Sequence, residues 1–143
     1  MQYHPLTAQI IGCAMKVHSV LGPGFLESVY QNALAHELAK SSLRIKAQHA
    51  IPMLYDGVIV GDFVADLWIN DCVIVELKAV NDLALAHEAQ LVNYLSATGV
   101  DIGLLLNFGA TSLQFKRKHR TFRPRTETPI SAKPILKNPV NPV

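Results

Sequence analysis

The order of periodic segments along the chain predicts an α/β fold, a mixed central β-sheet flanked by α-helices. Three observations carry that expectation. Two stretches of helical apolar spacing open the chain, three strand-like segments follow with tight turns between them, and a third helical stretch leads into two more strands. The 143 residues fit one domain with a sizeable core, and half of them are hydrophobic, well inside the globular range.

The first helix is expected over Ala8 to Val20, where Ile10, Ile11, Ala14, Met15 and Val17 recur at helical spacing. Gly22-Pro23-Gly24 stops it, because glycine loosens the backbone and proline cannot continue the hydrogen-bond ladder. A second helix follows over about Phe25 to Lys40, with Leu26, Val29, Tyr30, Ala33, Leu34 and Leu38 along one side. Arg44 to Tyr55 reads as extended, and Pro52 places it at a sheet edge or at an irregularity. Asp56-Gly57 is a two-residue hairpin signal leading into a strand from Val58 to Ile69. A short turn at Asn70-Asp71 precedes a strand from Cys72 to Val80, whose β-branched Val73-Ile74-Val75 suits the centre of a sheet. The third helix spans about Leu85 to Thr98, a buried strand Asp101 to Asn107, and a last alternating strand Ser112 to Lys118.

From about Thr121 the pattern disappears. Residues 121–143 read as a basic, proline-containing flexible tail beyond a domain of residues 1–120. Charge follows the same division. Residues 1–115 hold five Lys/Arg against ten Asp/Glu, a net of −5, while residues 116–143 hold eight Lys/Arg against Glu127 alone, a net of +7. A basic tail attracts phosphate backbones without reading sequence, and it serves equally as a solubilising segment. No apolar run approaches a membrane span, and the N-terminus lacks the basic start and apolar run of a secretory signal. Cys13 and Cys72, far apart and in no Cys-x-x-Cys pair, fit reduced, buried thiols of a cytoplasmic protein.

The chemistry concentrates in the middle strands. Glu76 and Lys78 interrupt an otherwise apolar strand and share one of its faces, with Leu77 on the other. Asp66 is a second acidic interruption in the neighbouring apolar strand. Burying an unpartnered carboxylate is costly, so such residues need a purpose. A two-residue loop at Asn70-Asp71 would pair Asp66 with Val75 and put the acidic pair on opposite faces. A three-residue loop of Asn70, Asp71 and Cys72, or a bulge, pairs Asp66 with Glu76 and gathers all three charges. Two carboxylates so placed make an oxygen-rich site for a hard cation such as Mg²⁺, which would neutralise a phosphodiester and activate water, with Lys78 beside it to orient or deprotonate that water. The spacing serves an internal salt bridge of Lys78 with Glu76 or Asp66 equally well.

Two helices offer further groups. Glu27 lies in the first turn of the second helix, where the dipole alone would favour a carboxylate; Gly24, Glu27 and Tyr30 recur at three-residue steps expected to stack on one face. Gln90 and Tyr94 lie four apart on the third helix and share a face, able to hold a phosphate, a water or the lysine.

Gly24-Phe25-Leu26-Glu27-Ser28-Val29-Tyr30 resembles the motif that names the GxxExxY protein family. Ala65-Asp66-Leu67, Val75 to Val80, His87 to Leu91, Asn93-Tyr94-Leu95 and Gly103 to Gly109 are similar to its later blocks, so the resemblance covers about Ile10 to Lys118. That family belongs to the PD-(D/E)XK nucleases, so the resemblance implies a restriction-endonuclease-like core. It implies Asp66 and Glu76 as metal ligands with the Leu77 carbonyl as a third, Lys78 as the catalytic lysine, and Glu27 as the helical acidic residue, a further catalytic group and metal ligand. Gln90 and Tyr94 resemble the Gln-x-x-x-Tyr motif of RecB-type nucleases. The proline of the superfamily title is absent, since Ala65 precedes Asp66.

Other motifs fall short. His87-Glu88 begins like a zinc-protease helix but meets Leu91 where a second histidine is required, and Gly22-Pro23-Gly24 lacks the Gly-Lys-Ser/Thr of a phosphate loop. Trp68 reads as packing. The expected function is a Mg²⁺-dependent (or Mn²⁺-dependent) nuclease acting on DNA ahead of RNA. The alternative is a non-catalytic nuclease-fold binding or assembly module. The acidic body suggests help from a homodimer or a protein partner, and no membrane association is expected.

Overall fold

A computed structural model describes residues 4–121 and 133–134. Its elements are α1 (Pro5–Leu21), α2 (Glu27–Ala39), β1 (Ile45–Tyr55), β2 (Val58–Ile69), β3 (Val73–Lys78), α3 (Leu85–Thr98), β4 (Ile102–Asn107), β5 (Gln114–His119) and β6 (Lys133–Pro134). Five strands lie in the order β1-β2-β3-β4-β5, with β3 and β4 parallel and the other neighbours antiparallel. This is the mixed sheet expected from the sequence, and α3 is the crossover that the parallel pair requires.

The two faces are covered separately. α1 and α2 pack Ile10, Ala14, Tyr30, Leu34 and Leu38 against Leu67, Val75, Leu77, Leu104 and Leu106. α3 packs Leu91 and Leu95 against Ile51, Phe63, Ala65, Ile74 and Leu105. Gly103 lets α3 come close, since a Cβ there would meet Leu91 Cδ1 at 3.1 Å and Leu95 Cδ2 at 3.2 Å.

Several boundaries move for local reasons. α1 begins at Pro5, because His4 Nδ1 accepts the Thr7 N–H at 3.2 Å and proline suits the first helical position. α2 begins at Glu27 because Gly24, at φ 112°, and the extended Leu26 still belong to the loop. Leu26 and Val29 are exposed there, as is Met15 on α1, so these three leave the apolar stripes the spacing assigns them. The expected irregularity near Pro52 takes both forms: β1 is an edge strand, and a bulge follows Met53. Asp56 and Gly57 form the hairpin loop with φ of 53° and 74°.

Neither cysteine is buried as expected: Cys13 is half-buried and Cys72, in the β2–β3 loop, is exposed. Most of the basic tail lies outside the described residues. Within it, Lys133 and Pro134 pair parallel with Val58 and Ile59, on the edge of β2 that β3 leaves uncovered. Among the described residues no helix is long and apolar enough to cross a membrane.

Candidate active site

The β2–β3 connection is the three-residue one. Ile69 pairs with Val73, Trp68 with Ile74 and Leu67 with Val75, leaving Asn70, Asp71 and Cys72 as the loop. Asn70 and Asp71 both adopt left-handed φ, 52° and 54°, residue types that tolerate it. The backbone register ends at Leu67–Val75, and the next residues, Asp66 and Glu76, meet through their carboxylates.

At that step the ladder changes character. The Asp66 N–H donates to Glu76 Oε2 at 3.0 Å, and the Leu77 N–H donates to Asp66 Oδ2 at 2.9 Å. Each carboxylate thus takes the place of a backbone carbonyl, and backbone pairing between β2 and β3 is not resumed beyond Leu67. In a strand a residue's N–H and C=O project to the same side, so the Leu77 carbonyl faces the same opened gap.

β2 also switches faces here. Ala65 packs under α3, whereas Leu67, two residues on, packs under α1 and α2. β1 does the same opposite it, at Gln48, which holds a left-handed φ of 49° between the pairs Ala47–Leu67 and His49–Ala65. The Gln48 amide nitrogen donates to Asp66 Oδ1 at 3.2 Å and to Gln31 Oε1 at 2.7 Å. Both Asp66 oxygens are therefore held.

Glu76 and Lys78 face α3, where they border a recess of about 20 Å³ with His87, Gln90 and Tyr94, above Leu91 and Leu105. That volume holds about one water-sized group. The Tyr94 ring stacks on Phe63 at 4.1 Å, which fixes it over the recess. Two larger hollows, of about 410 and 400 Å³, lie between α3 and β5, away from the carboxylates.

Burial pushes the Glu76 carboxyl up to about 8, with the Asp66 charge adding to it; the Asp66 N–H and Lys78 pull the other way. Among the described residues neither Asp66 nor Glu76 makes an ion pair, and Lys78 makes none either. The internal salt bridge that the spacing allowed is not formed.

Glu27 stands apart from this arrangement. It is exposed at the first residue of α2, and its charge reaches Glu76 only as the weakest contribution to that shift. Among the described residues no three acidic, histidine or cysteine side chains cluster closely enough to hold a metal together, so the structure joins two carboxylates and not three. Nor do Gly24, Glu27 and Tyr30 share a helical face, since Gly24 precedes the helix. Tyr30 is fully buried, stacked on Phe108 at 4.7 Å, and its hydroxyl donates to the Gly22 carbonyl at 2.5 Å and accepts the Phe25 N–H at 3.1 Å. The tyrosine anchors the loop that presents Glu27.

A second brace holds the exit from β3. The buried Asn107 side chain accepts the Val80 N–H and donates to the Val80 carbonyl, both at 2.9 Å, and Gln114 joins Asn107 to Leu83 and Asp82. Gly109 fits against Val80 only because it has no Cβ.

Sequence reasoning missed Gln48, Gln31 and His87 as parts of the site. For His87 a signal existed, since 87, 90 and 94 fall on one helical face; for the glutamines none did.

A family model for the PD-(D/E)XK nuclease superfamily matches residues 4–118, from the cap of α1 through all but the last residue of β5.

The chain belongs to the PD-(D/E)XK nuclease superfamily.

No curated relative and no solved structure matches it. PD-(D/E)XK nucleases typically use divalent metal ions. The donors here suit such a group: two adjoining carboxylates, one of them largely buried, make no ion pair among the described residues, and a backbone carbonyl faces the same gap. A hard ion that keeps several of its waters needs no third carboxylate.

Proposed function

We propose that the protein is a Mg²⁺-dependent nuclease that hydrolyses phosphodiester bonds in nucleic acid, DNA ahead of RNA. The observation that carries this reading is the reciprocal locking of Asp66 and Glu76, with no cation paired to either among the described residues, one pleat from Lys78.

Asp66, Glu76 and the Leu77 carbonyl would hold the ion, which when bound supplies charge neutralisation at the phosphate and a more acidic water. Lys78 borders the recess from the same face as Glu76, and its ammonium orients the attacking water against the phosphorus. The water oxygen forms the new P–O bond and gives up a proton to solvent, while the leaving oxygen departs with its bonding pair and takes a proton from solvent. Gln90 and Tyr94 hold Lys78 and the phosphate in line. Glu27, one side removed, adds negative charge that favours the ion without touching it. The Gly24 to Tyr30 block supports placement among GxxExxY proteins, and Gln90 with Tyr94 supports the RecB-like preference for DNA.

The net charge of −5 over residues 1–115 favours a second reading, a nuclease-fold binding or assembly module. Incubation of single- and double-stranded DNA and RNA with Mg²⁺ or Mn²⁺ separates the two. Cleavage is expected, and Lys78→Ala should slow it by roughly 10²–10⁴-fold, with Glu76→Ala at least as damaging. Binding without cleavage supports the module, and activity that survives both substitutions places the chemistry elsewhere.

A further inference from the structure

Resting on the nuclease reading, we infer that His87 is a further catalytic residue, whose Nε2–H donates a hydrogen bond to a phosphate oxygen of the substrate at the Glu76–Lys78 recess.

α3 starts after Ala84, an extended N-cap residue whose methyl group cannot accept a hydrogen bond. His87 fills that role from the third helical position, its Nδ1 accepting the Ala84 N–H at 3.1 Å. An imidazole nitrogen that accepts a hydrogen bond carries no proton, so while the cap is made the ring's N–H is at Nε2. The cap therefore fixes the tautomer and turns a donor outward. The ring is half-buried and borders the recess, and among the described residues Nε2 has no hydrogen-bond partner.

The recess explains what that donor is for. Lys78, Gln90 and Tyr94, whose side chains carry an ammonium, an amide and a hydroxyl, line the same small space, and His87 lines it as a fourth donor-bearing residue. Glu76 is the one carboxylate among them. A space ringed by donors suits an acceptor-rich group, and the oxygens of a phosphodiester meet that description. The positive end of α3 lies on the same side and adds to the attraction. His87 moves no proton in this role; it stabilises charge that grows on the phosphate oxygen as the water attacks.

Two substitutions separate the cap from the donor. In His87→Asn the amide oxygen can occupy the place of Nδ1 and keep the Ala84 bond, but nothing reaches the place of Nε2. In His87→Gln the terminal amide reaches the place of Nε2, while the cap is lost. His87→Asn should unfold at the wild-type temperature, bind Mn²⁺ as tightly, and cleave on the order of 100-fold more slowly at saturating metal. His87→Gln should unfold earlier yet keep most of its cleavage. Wild-type cleavage by the asparagine variant, or equal loss in both, overturns the inference.

A second measurement does not depend on turnover. Titration of the isotope-labelled full chain with thymidine 3′,5′-diphosphate in Ca²⁺ should move the His87 Nε2 resonance while Nδ1 keeps its acceptor signature. If the wild type cleaves nothing but Nε2 moves, the nuclease reading fails and the phosphate contact stands. If the wild type cleaves and Nε2 does not respond, His87 is only a cap.

Discussion

Glu76 and Gln48 show how much of the site is set by single side chains. The Glu76 carboxyl, held at about 8 chiefly by burial, titrates near ~4.3 in an unfolded chain. Between those values the folded protein keeps a proton that the unfolded chain has released, so folding is favoured at the acid end and loses this contribution as pH rises towards 8. Metal-free protein should therefore show a falling melting temperature from about pH 5 to pH 8. Mg²⁺ should flatten that fall by giving the carboxylate a partner, and Glu76→Gln should remove it. A slope unchanged in the glutamine variant assigns the pH dependence to other groups. Gln48 acts one contact further out, through Asp66 Oδ1. Gln48→Ala should weaken Mg²⁺ binding by roughly 10-fold or more, measured by calorimetry, with cleavage restored at high metal; unchanged affinity means the amide is not an orienting group. Asp66, Glu76 and Lys78 were legible because charge interrupts an apolar strand. Gln48 was not, because a polar residue on an exposed edge strand is unremarkable until the register sets it across from Asp66.

Whole elements were legible where a residue type dictates backbone geometry. Asp56-Gly57 fixed a hairpin, Gly99 closed α3 at Thr98 with φ 76°, and the need to bring Asp66 opposite Glu76 selected a three-residue loop. Tertiary contacts decided the rest. The simultaneous change of face at Gln48 and Asp66 leaves no mark in apolar periodicity, because Ala65 and Leu67 are both apolar and both buried, only on opposite sides of the sheet. The role of Tyr30 was likewise hidden, since its spacing to Glu27 suggests a shared face while its hydroxyl in fact ties Gly22 to Phe25. Tyr30→Phe keeps the ring on Phe108 and removes both bonds, so it should cost about 1–3 kcal/mol in denaturant unfolding. It should also raise amide exchange across 22–27. Full stability in that variant would mean the loop is held by its own backbone.

Charge is the property that belongs to the molecule as a whole, and it poses the sharpest test of how a nucleic acid would be held. The body is acidic, and much of the positive charge at its C-terminal edge is already engaged. Lys118 pairs with Glu88 at 2.9 Å, Arg120 with Asp101 at 2.8 Å, and Arg117 Nε donates to Thr7. Lys116 stands at the rim of an acidic hollow with Asp82 and Glu88. Beyond these, the sequence offers Arg123, Arg125, Lys133 and Lys137. Lys133 is tied by its backbone to Val58, at the end of β2 remote from the β2–β3 loop. If phosphates are gripped by this run, each contact releases condensed counterions, and affinity must fall steeply with salt. Replacing the four residues with glutamine in a Lys78→Ala background, where the bound strand persists, should lower the slope of log affinity against log salt by as much as roughly 3 to 4. Fluorescence anisotropy across a salt series measures it. A slope unchanged by the four substitutions would leave the run as a solubilising segment, and the positive surface would then have to come from a second copy or a partner.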